Sequence, residues 1–496
     1  MFGIWPYCTL SMTETAPPDR PCVVVGGGSG FIGLELGAKL ASRFEVVGLS
    51  RSEHASDASF REWRKADLFN LREAEEALNG ARFAIYLVHS MLPSARLTQA
   101  SFEDLDLICA DNFARAAKRA GVEQIVYLGG LLPQTEELSP HLASRLEVEK
   151  TLGRYGVPVT TLRAGLVIGG GGSSFEILTR LVRRLPAMVV PKWTLTRMQP
   201  VAVDDVIALL SYVVGRRECY GETYDVGAPE AIDYRTLMTM CAEILELDRP
   251  MIPVPLFTPG LSRLWVSLVT GAPKALVAPL VESLRHEMVA RDLRLSEQAG
   301  LAPMPIRAAM LKALAKKETK SKSKAKAPKQ VTTHEAPPSL VRSVQRMRLP
   351  EGRDAEWAAH EYTRWLPNAL RGLVRVEVDV NRDCRFVVLL IGIPLLVLTY
   401  APHRSTADRQ LFYVTGGVLS REKQRGRFEL RQVLDGRTMM TAIHDFAPRL
   451  PWFVYVHSQA RFHAWVMAAF RRHLAHASSA APTVGAPSRE PLQRTP

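Results

Sequence analysis

Along residues 22–128, short runs of β-branched and apolar residues alternate with segments whose apolar positions recur at helical spacing. Residues 22–25, 44–49, 83–88 and 124–128 read as buried strands, and residues 31–42 and 113–120 as helices between them. Strand, helix, strand in that order needs crossover connections, so the pattern predicts an α/β unit with a parallel sheet covered on both faces. Farther on, the period shortens to two. Val374, Val376, Val378 and Val380 alternate with Arg375, Glu377 and Asp379, and Phe428 and Leu430 with Glu429 and Arg431. Such alternation predicts strands with one face in a core and the other in water. Asp435-Gly436 supplies a hairpin turn. Helical spacing over 354–370 precedes these strands and over 452–473 follows them, so the second unit is predicted as α+β, a curved sheet around a helix. The apolar run 386–400 is 15 residues long and holds Gly392 and Pro394. A spanning helix needs about 20 apolar residues. The run therefore predicts two buried strands joined at Gly392-Ile393-Pro394.

Composition divides the chain of 496 residues, which is too long for one core. Lys, Ser, Thr, Ala and Pro replace the apolar periodicity around residues 315–338. The expected organisation is a disordered leader at 1–19, a first unit with a small substrate lobe at 20–311, a Lys-rich linker at 312–339, a second unit at 340–476 and a disordered tail at 477–496. The formal charge is +13, but eight Lys against Glu318 between residues 312 and 329 contribute +7 of it. No aromatic residue interleaves with that run, so it reads as a solvated tether, and no specific nucleic-acid partner is expected. Six scattered cysteines form no CxxC pair and no Cys/His cluster, which suggests neither a disulfide framework nor a metal site. With no basic region followed by a long apolar stretch at the start, the expected location is cytoplasmic. The apolar stretch 255–285 has two readings: a greasy substrate pocket or peripheral membrane contact, and an ordinary helical core.

The chemistry begins at the end of the first predicted strand. Gly27, Gly30 and Gly33 stand at GxxGxxG spacing between residues 23–25 and an apolar-periodic helix, with Ser29, Phe31 and Ile32 among them. A tight turn, a position without Cβ where backbone meets a diphosphate, and close packing of helix on strand each require glycine. The helix start then offers free N–H groups to the phosphates. At the tip of the second strand stand Ser50 and Arg51 rather than a carboxylate. A guanidinium there suits a 2′-phosphate, which favours NADP(H) over NAD(H), with NAD(H) still open; a plain surface Arg is the competing reading.

These residues, with Ala66-Asp67-Leu68, residues 86–90, 162–165, 199–206 and 224–227, resemble the extended or atypical short-chain dehydrogenase/reductases. The likeness is to their NmrA-like and nucleotide-sugar-epimerase-like members. It implies a Rossmann-type doubly wound parallel sheet, Asp67 and Leu68 beside the adenine, and Leu87, Val88 and His89 along the cofactor. Without the resemblance, Asp67 reads as a helix-capping carboxylate. In that group a Ser and a Tyr–Lys pair carry proton transfer. Here Gly129 and Gly130 stand where the Ser would be, and His141 and Arg145 occupy the Tyr and Lys places. Two interpretations follow: a His-based reductase or isomerase of a bulky apolar substrate, or a domain that binds dinucleotide as a sensor or assembly factor.

Residues 340–476 resemble the START-like, polyketide-cyclase-like helix-grip fold, which implies an apolar small molecule between sheet and terminal helix. A closed, packed assembly module is the alternative, and a lipid-handling protein with a merely structural first unit is a third reading. His444, His457, His463 and His473 are expected as surface or capping residues rather than metal ligands.

Overall fold

The computed structural model describes residues 20–89, 97–135, 137–254, 271, 281–326, 340–421 and 425–479. The expected leader, the tail beyond 479 and most of the apolar stretch 255–285 lie outside them.

In the first unit, strands β1 (Cys22–Gly26), β2 (Glu45–Ser50), β3 (Glu62–Lys65), β4 (Phe83–Tyr86), β6 (Gln124–Gly130), β7 (Val159–Ala164) and β8 (Thr223–Val226) form one sheet. Its order is β8-β7-β6-β4-β1-β2-β3. Every pair in it is parallel. Helices α1 (Phe31–Leu40), α2 (Leu71–Leu78), α3 (Phe102–Arg119) and α4 (Pro140–Leu152) supply crossovers. The strand order reverses between β1 and β4, so the loops leaving these two strands open a crevice at their carboxyl ends. Val23, Val24 and Val25 are fully buried, in keeping with a strand covered on both faces.

The second unit contains β9 (Val341–Arg348), α5 (Ala355–Ala369), β10 (Val374–Val378), β11 (Cys384–Val388), β12 (Pro394–Tyr400), β13 (Arg409–Gly416), β14 (Arg427–Val433) and β15 (Thr438–Phe446). These seven strands pair antiparallel in the order β10-β11-β12-β13-β14-β15-β9. A short strand of the first unit, β5 (Leu97–Gln99), then adds parallel to β9, which makes the sheet mixed. The expected terminal helix is two helices, α6 (Trp452–His457) and α7 (Gln459–Ser479), broken at Ser458 (φ −118°, ψ −84°). The antiparallel strands and these helices match the α+β expectation, whereas the helix-grip fold is not shown and the sheet is mixed.

Three expectations need correction. The charged positions of β14 do not face water: Glu429 and Arg431 are buried against α3, and Val344, Val433, Met440 and Ala442 share a core with Leu107, Ile108 and Ala114. Alternation fixes which face a residue occupies and not what covers that face. Val380 lies beyond the end of β10 and is 98% exposed. The Lys-rich stretch starts inside a helix, Ile306–Lys326, where Lys312 pairs with Asp204 at 2.8 Å and Lys316 with Glu35 at 2.5 Å.

Ion pairs bind the two units together. Arg346 reaches Asp104 (2.8 Å) and Glu147 (2.7 Å), Arg342 reaches Asp67 (3.0 Å), Arg404 reaches Glu75 (2.7 Å) and Arg115 reaches Asp408 (2.6 Å). At the centre, Arg431 donates to Asp111 at 2.8 Å with both side chains almost wholly buried.

His444 and His463 are not surface residues. His444 is buried with neither ring nitrogen hydrogen-bonded, its Nε2 standing 3.6 Å from Glu429 Oε2, and His463 Nε2 is buried without a hydrogen-bond partner. Burial pushes the His463 imidazole down to about 4, and burial with the Arg427 charge pushes His444 well below its usual range. A folded pKa below the unfolded value of about 6.5 means that the folded state binds fewer protons. The stability from each neutral ring is complete above pH 6.5 and is lost as pH falls below it, toward 4 for His463. The His463 ring is expected to cost about 2 kcal/mol between pH 7.5 and pH 5. Urea midpoints measured at the two pH values check this: His463→Phe should show a clearly smaller drop than the parent chain, and equal drops would refute it.

Candidate active site

The turn after β1 is built by its glycines. Gly27 adopts φ +83°, the left-handed region that side chains disfavour, and a Cβ there would lie 3.2 Å from the Leu87 backbone. Gly28 N–H donates to Val25 O (3.2 Å) and Gly30 N–H to Gly27 O (3.0 Å), closing the turn. A Cβ on Gly33 would stand 2.4 Å from Gly27 O, so only glycine lets α1 approach this closely. Gly30 is the N-cap of α1 and no side chain caps it. The first-turn amides, which have no partner within a helix, are therefore left for a ligand. This bare, Cβ-free cradle fits a diphosphate. The Phe31 ring packs onto Gly169 and Gly171, where a Cβ would come within 2.4 and 2.9 Å of it.

The cradle opens into a cavity of about 460 Å³ lined by Gly27, Gly30, Phe31, Ile32, Gly33, Leu87, His89, His141 and Arg145. The loops after β1 and β4 and the start of α4 thus bring the glycine turn and the residues in the Tyr and Lys places to one cleft. The far wall is apolar, with Leu178, Leu181, Trp193, Met238 and Met288.

The remaining expected contacts lie around the cleft and not in its lining. Ser29 is exposed on the turn and Val88 packs beside Gly26. Ser50 Oγ bonds the His54 ring (3.0 Å), that ring lies 4.6 Å from Trp63, and Arg51 is exposed at the strand tip. Asp67 accepts from Phe69 N (3.2 Å) and pairs with Arg342 of the second unit. The Leu68 side chain is buried in the core.

Asp106 was not foreseen. His89 Nδ1 and Asp106 Oδ2 stand 2.6 Å apart, with the carboxylate 1% exposed. The carboxylate fixes the proton on Nδ1 and leaves Nε2, which is buried with no hydrogen-bond partner, as the free nitrogen. The His141 ring lies 5.4 Å from that of His89, and its Nδ1 is likewise buried and unpartnered. Burial, reinforced by the Arg145 and His89 charges, pushes His141 down to about 3, so at neutral pH it is an uncharged imidazole. Arg145 donates to Leu128 O at 3.4 Å. A sequence signal for Asp106 did exist: it is a carboxylate set among Leu105, Leu107, Ile108 and Cys109 in an otherwise apolar stretch of α3. No cluster of three or more metal-ligating side chains occurs among the described residues.

Residues 23–227 match the family model described as NAD dependent epimerase/dehydratase family. The first unit carries an NAD-dependent epimerase/dehydratase-family domain. Auxiliary protein GraX of Staphylococcus aureus (strain NCTC 8325 / PS 47) is 30% identical over 202 residues, which cover 40% of this chain and 60% of that protein. The chain thus spans 60% of this relative's length. Among solved structures, a nucleoside-diphosphate-sugar epimerase from Staphylococcus aureus is similar over 58% of this chain and 99% of its own, with 15% identity and a TM-score of 0.48. The Citrobacter sp. triphenylmethane reductase complexed with NADP(H) is similar over 59% and 99%, with 16% identity and a TM-score of 0.47. The family model ends at residue 227, so the second unit lies beyond the matched span.

Proposed function

We propose that the epimerase-family domain binds NADP(H), with NAD(H) as the lesser ligand, and reduces or isomerises a bulky apolar substrate. The observation that carries this reading is that the bare amides of the glycine turn share one cleft of about 460 Å³ with His89, His141 and Arg145, opposite an apolar wall. Gly27, Gly30, Phe31, Ile32 and Gly33 would hold the diphosphate through backbone N–H groups. Ser50 and Arg51 would take the ribose end, and Arg51 is the reason for preferring the 2′-phosphate. When bound, the nicotinamide supplies or accepts hydride. The chain's own residues manage the proton and the orientation. His141, held neutral, donates a hydrogen bond to a substrate oxygen, and Arg145 adds positive charge beside it. His89, oriented by Asp106, exchanges a proton through Nε2. The apolar wall excludes water and selects a greasy substrate.

A second reading rests on the second unit. It holds an apolar cavity of about 150 Å³ in which Gln459 Oε1 and His463 Nε2 are buried without partners. An apolar small molecule with one hydroxyl or carbonyl group matches such a lining. The first unit then acts as a dinucleotide sensor or assembly factor in the cytoplasm.

Fluorescence titration with NADPH and NADH, turnover on a panel of carbonyl compounds and mass spectrometry of co-purified ligands separate the two. The enzyme reading expects tighter binding of NADPH and turnover that falls at least tenfold in His141→Ala. Binding without turnover on the panel, unchanged by His141→Ala, would favour the sensor. No dinucleotide binding at all would defeat both.

A further inference from the structure

The turn between β11 and β12, at the heart of the apolar run 386–400, is not buried. Leu389, Leu390, Ile391 and Ile393 are all exposed, and Leu390, at 86%, projects furthest. Other segments join it at the same end of the unit. Leu389 N–H donates to Leu373 O (3.1 Å), which brings in exposed Leu373. Val418 N–H donates to Pro394 O (3.0 Å) and Leu419 N–H to Leu395 O (3.1 Å), seating the loop after β13 against the turn. Arg449 N–H donates to Leu419 O (3.1 Å) and leads into α6, where Phe453 is 75% exposed beside exposed Val454. One end of the molecule therefore gathers large apolar side chains from four segments. A contiguous apolar patch of this kind on a soluble protein marks a contact surface.

Charge selects the occupant. Residues 384–407, 409–421 and 447–479 contain no Asp or Glu. Among the described residues at this end, Arg371, Arg421 and Arg449 are exposed cations. Aliphatic side chains on a projecting turn, ringed by arginines, match an interface with an apolar layer under an anionic layer. Leu395 and Leu419, held in the same backbone contacts, also line the apolar cavity of about 150 Å³, so that cavity lies directly behind the patch. We propose that this end of the second unit seats on an anionic lipid surface, with the turn 389–393 and Phe453 in the acyl boundary and the three arginines on the headgroups.

The test is co-sedimentation of the full chain with vesicles of phosphatidylcholine alone or mixed with phosphatidylglycerol, at low and high salt. Binding is expected on the anionic vesicles and should weaken as salt rises. Leu390→Ser combined with Ile391→Ser should reduce it about tenfold or more, and Arg421→Glu combined with Arg449→Glu should abolish the preference for phosphatidylglycerol. All four substitutions are on exposed residues, and circular dichroism and the thermal transition should match the parent. Failure of the parent chain to sediment with anionic vesicles would overturn the proposal. So would undiminished binding by the Leu390/Ile391 variant, or a concentration-dependent dimer that this variant dissolves, which would assign the patch to a second copy of the chain.

Discussion

Replacing Arg431 by alanine is expected to cost about 3–5 kcal/mol of stability and to loosen the second unit from the first. Arg431 is 2% exposed and lies between Asp111 of α3 and Glu429 of its own strand. Arg409 reaches the same Glu429 at 2.5 Å, Arg115 reaches Asp111 at 2.9 Å, and Tyr155 donates to Asp111 at 2.6 Å. With Asp408 on Arg115, three guanidiniums face three carboxylates. Burial opposes ionisation of Glu429, but Arg409 and Arg431 outweigh it and hold the carboxyl well below the usual range. Removing Arg431 leaves one surplus negative charge in a site that water does not reach, and that uncompensated charge is the source of the loss. Arg431→Met with Asp111→Asn removes one charge of each sign and leaves Arg409 paired with Glu429 and Arg115 with Asp408. The double variant is therefore expected to recover much of the stability that Arg431→Ala loses. Urea unfolding and limited proteolysis measure both. An Arg431→Ala chain within about 1 kcal/mol of the parent would show that water enters this junction and that the network is not what holds the units together.

The cluster also explains what the sequence could and could not reveal. The first unit was legible because a parallel strand covered on both faces is written as an unbroken apolar run, and because its turn tolerates only glycine at Gly27 and Gly33. The cleft was half legible. His89, His141 and Arg145 were placed by their positions relative to that turn, whereas Asp106 shows its role only when α3 lays it against His89. The second unit misled at its charged positions. Glu429 and Arg431 alternate with Phe428 and Leu430 as a solvent-facing strand would. A charge whose partner is 320 residues away, as Asp111 is from Arg431, looks the same in sequence as a hydrated one. Asp106 and Asp111 were the available clue, two carboxylates in the buried stripe of one helix. The opposite error arose at the turn 389–393, where an apolar run implied burial and the hairpin geometry put its middle in solvent. The three-residue strand Leu97–Gln99 carries too little pattern to announce that it completes another unit's sheet.

If the cleft reduces or isomerises its substrate, His89→Ala is expected to lower kcat by about 10²–10⁴-fold while leaving the Kd for NADPH within a few-fold of the parent. Binding survives because His89 is not needed for the bare amides at the start of α1 to hold a diphosphate. Turnover falls because His89 Nε2 is a buried, unpartnered imidazole nitrogen in the cleft with a carboxylate behind it to stabilise the charged ring. His141 cannot substitute. With its imidazole pushed down to about 3 by burial and by Arg145, it stays uncharged and has no proton to give near neutral pH beyond a hydrogen bond. Asp106→Asn separates positioning from simple structure. The amide keeps the shape but accepts less strongly and also presents a donor to Nδ1, so the ring is free to adopt the tautomer that places its proton on Nε2. That variant should lose much of kcat with KM little changed and with an altered pH–rate profile, and Asp106→Glu should restore part of it. His141→Ala, by contrast, should lower kcat without changing the shape of the profile, because the lost group never titrates in the working range. Full turnover in His89→Ala, or an Asp106→Asn chain with unchanged kcat and pH profile, would remove the pair from the chemistry and leave the hydrogen bond as a brace between α3 and the loop after β4.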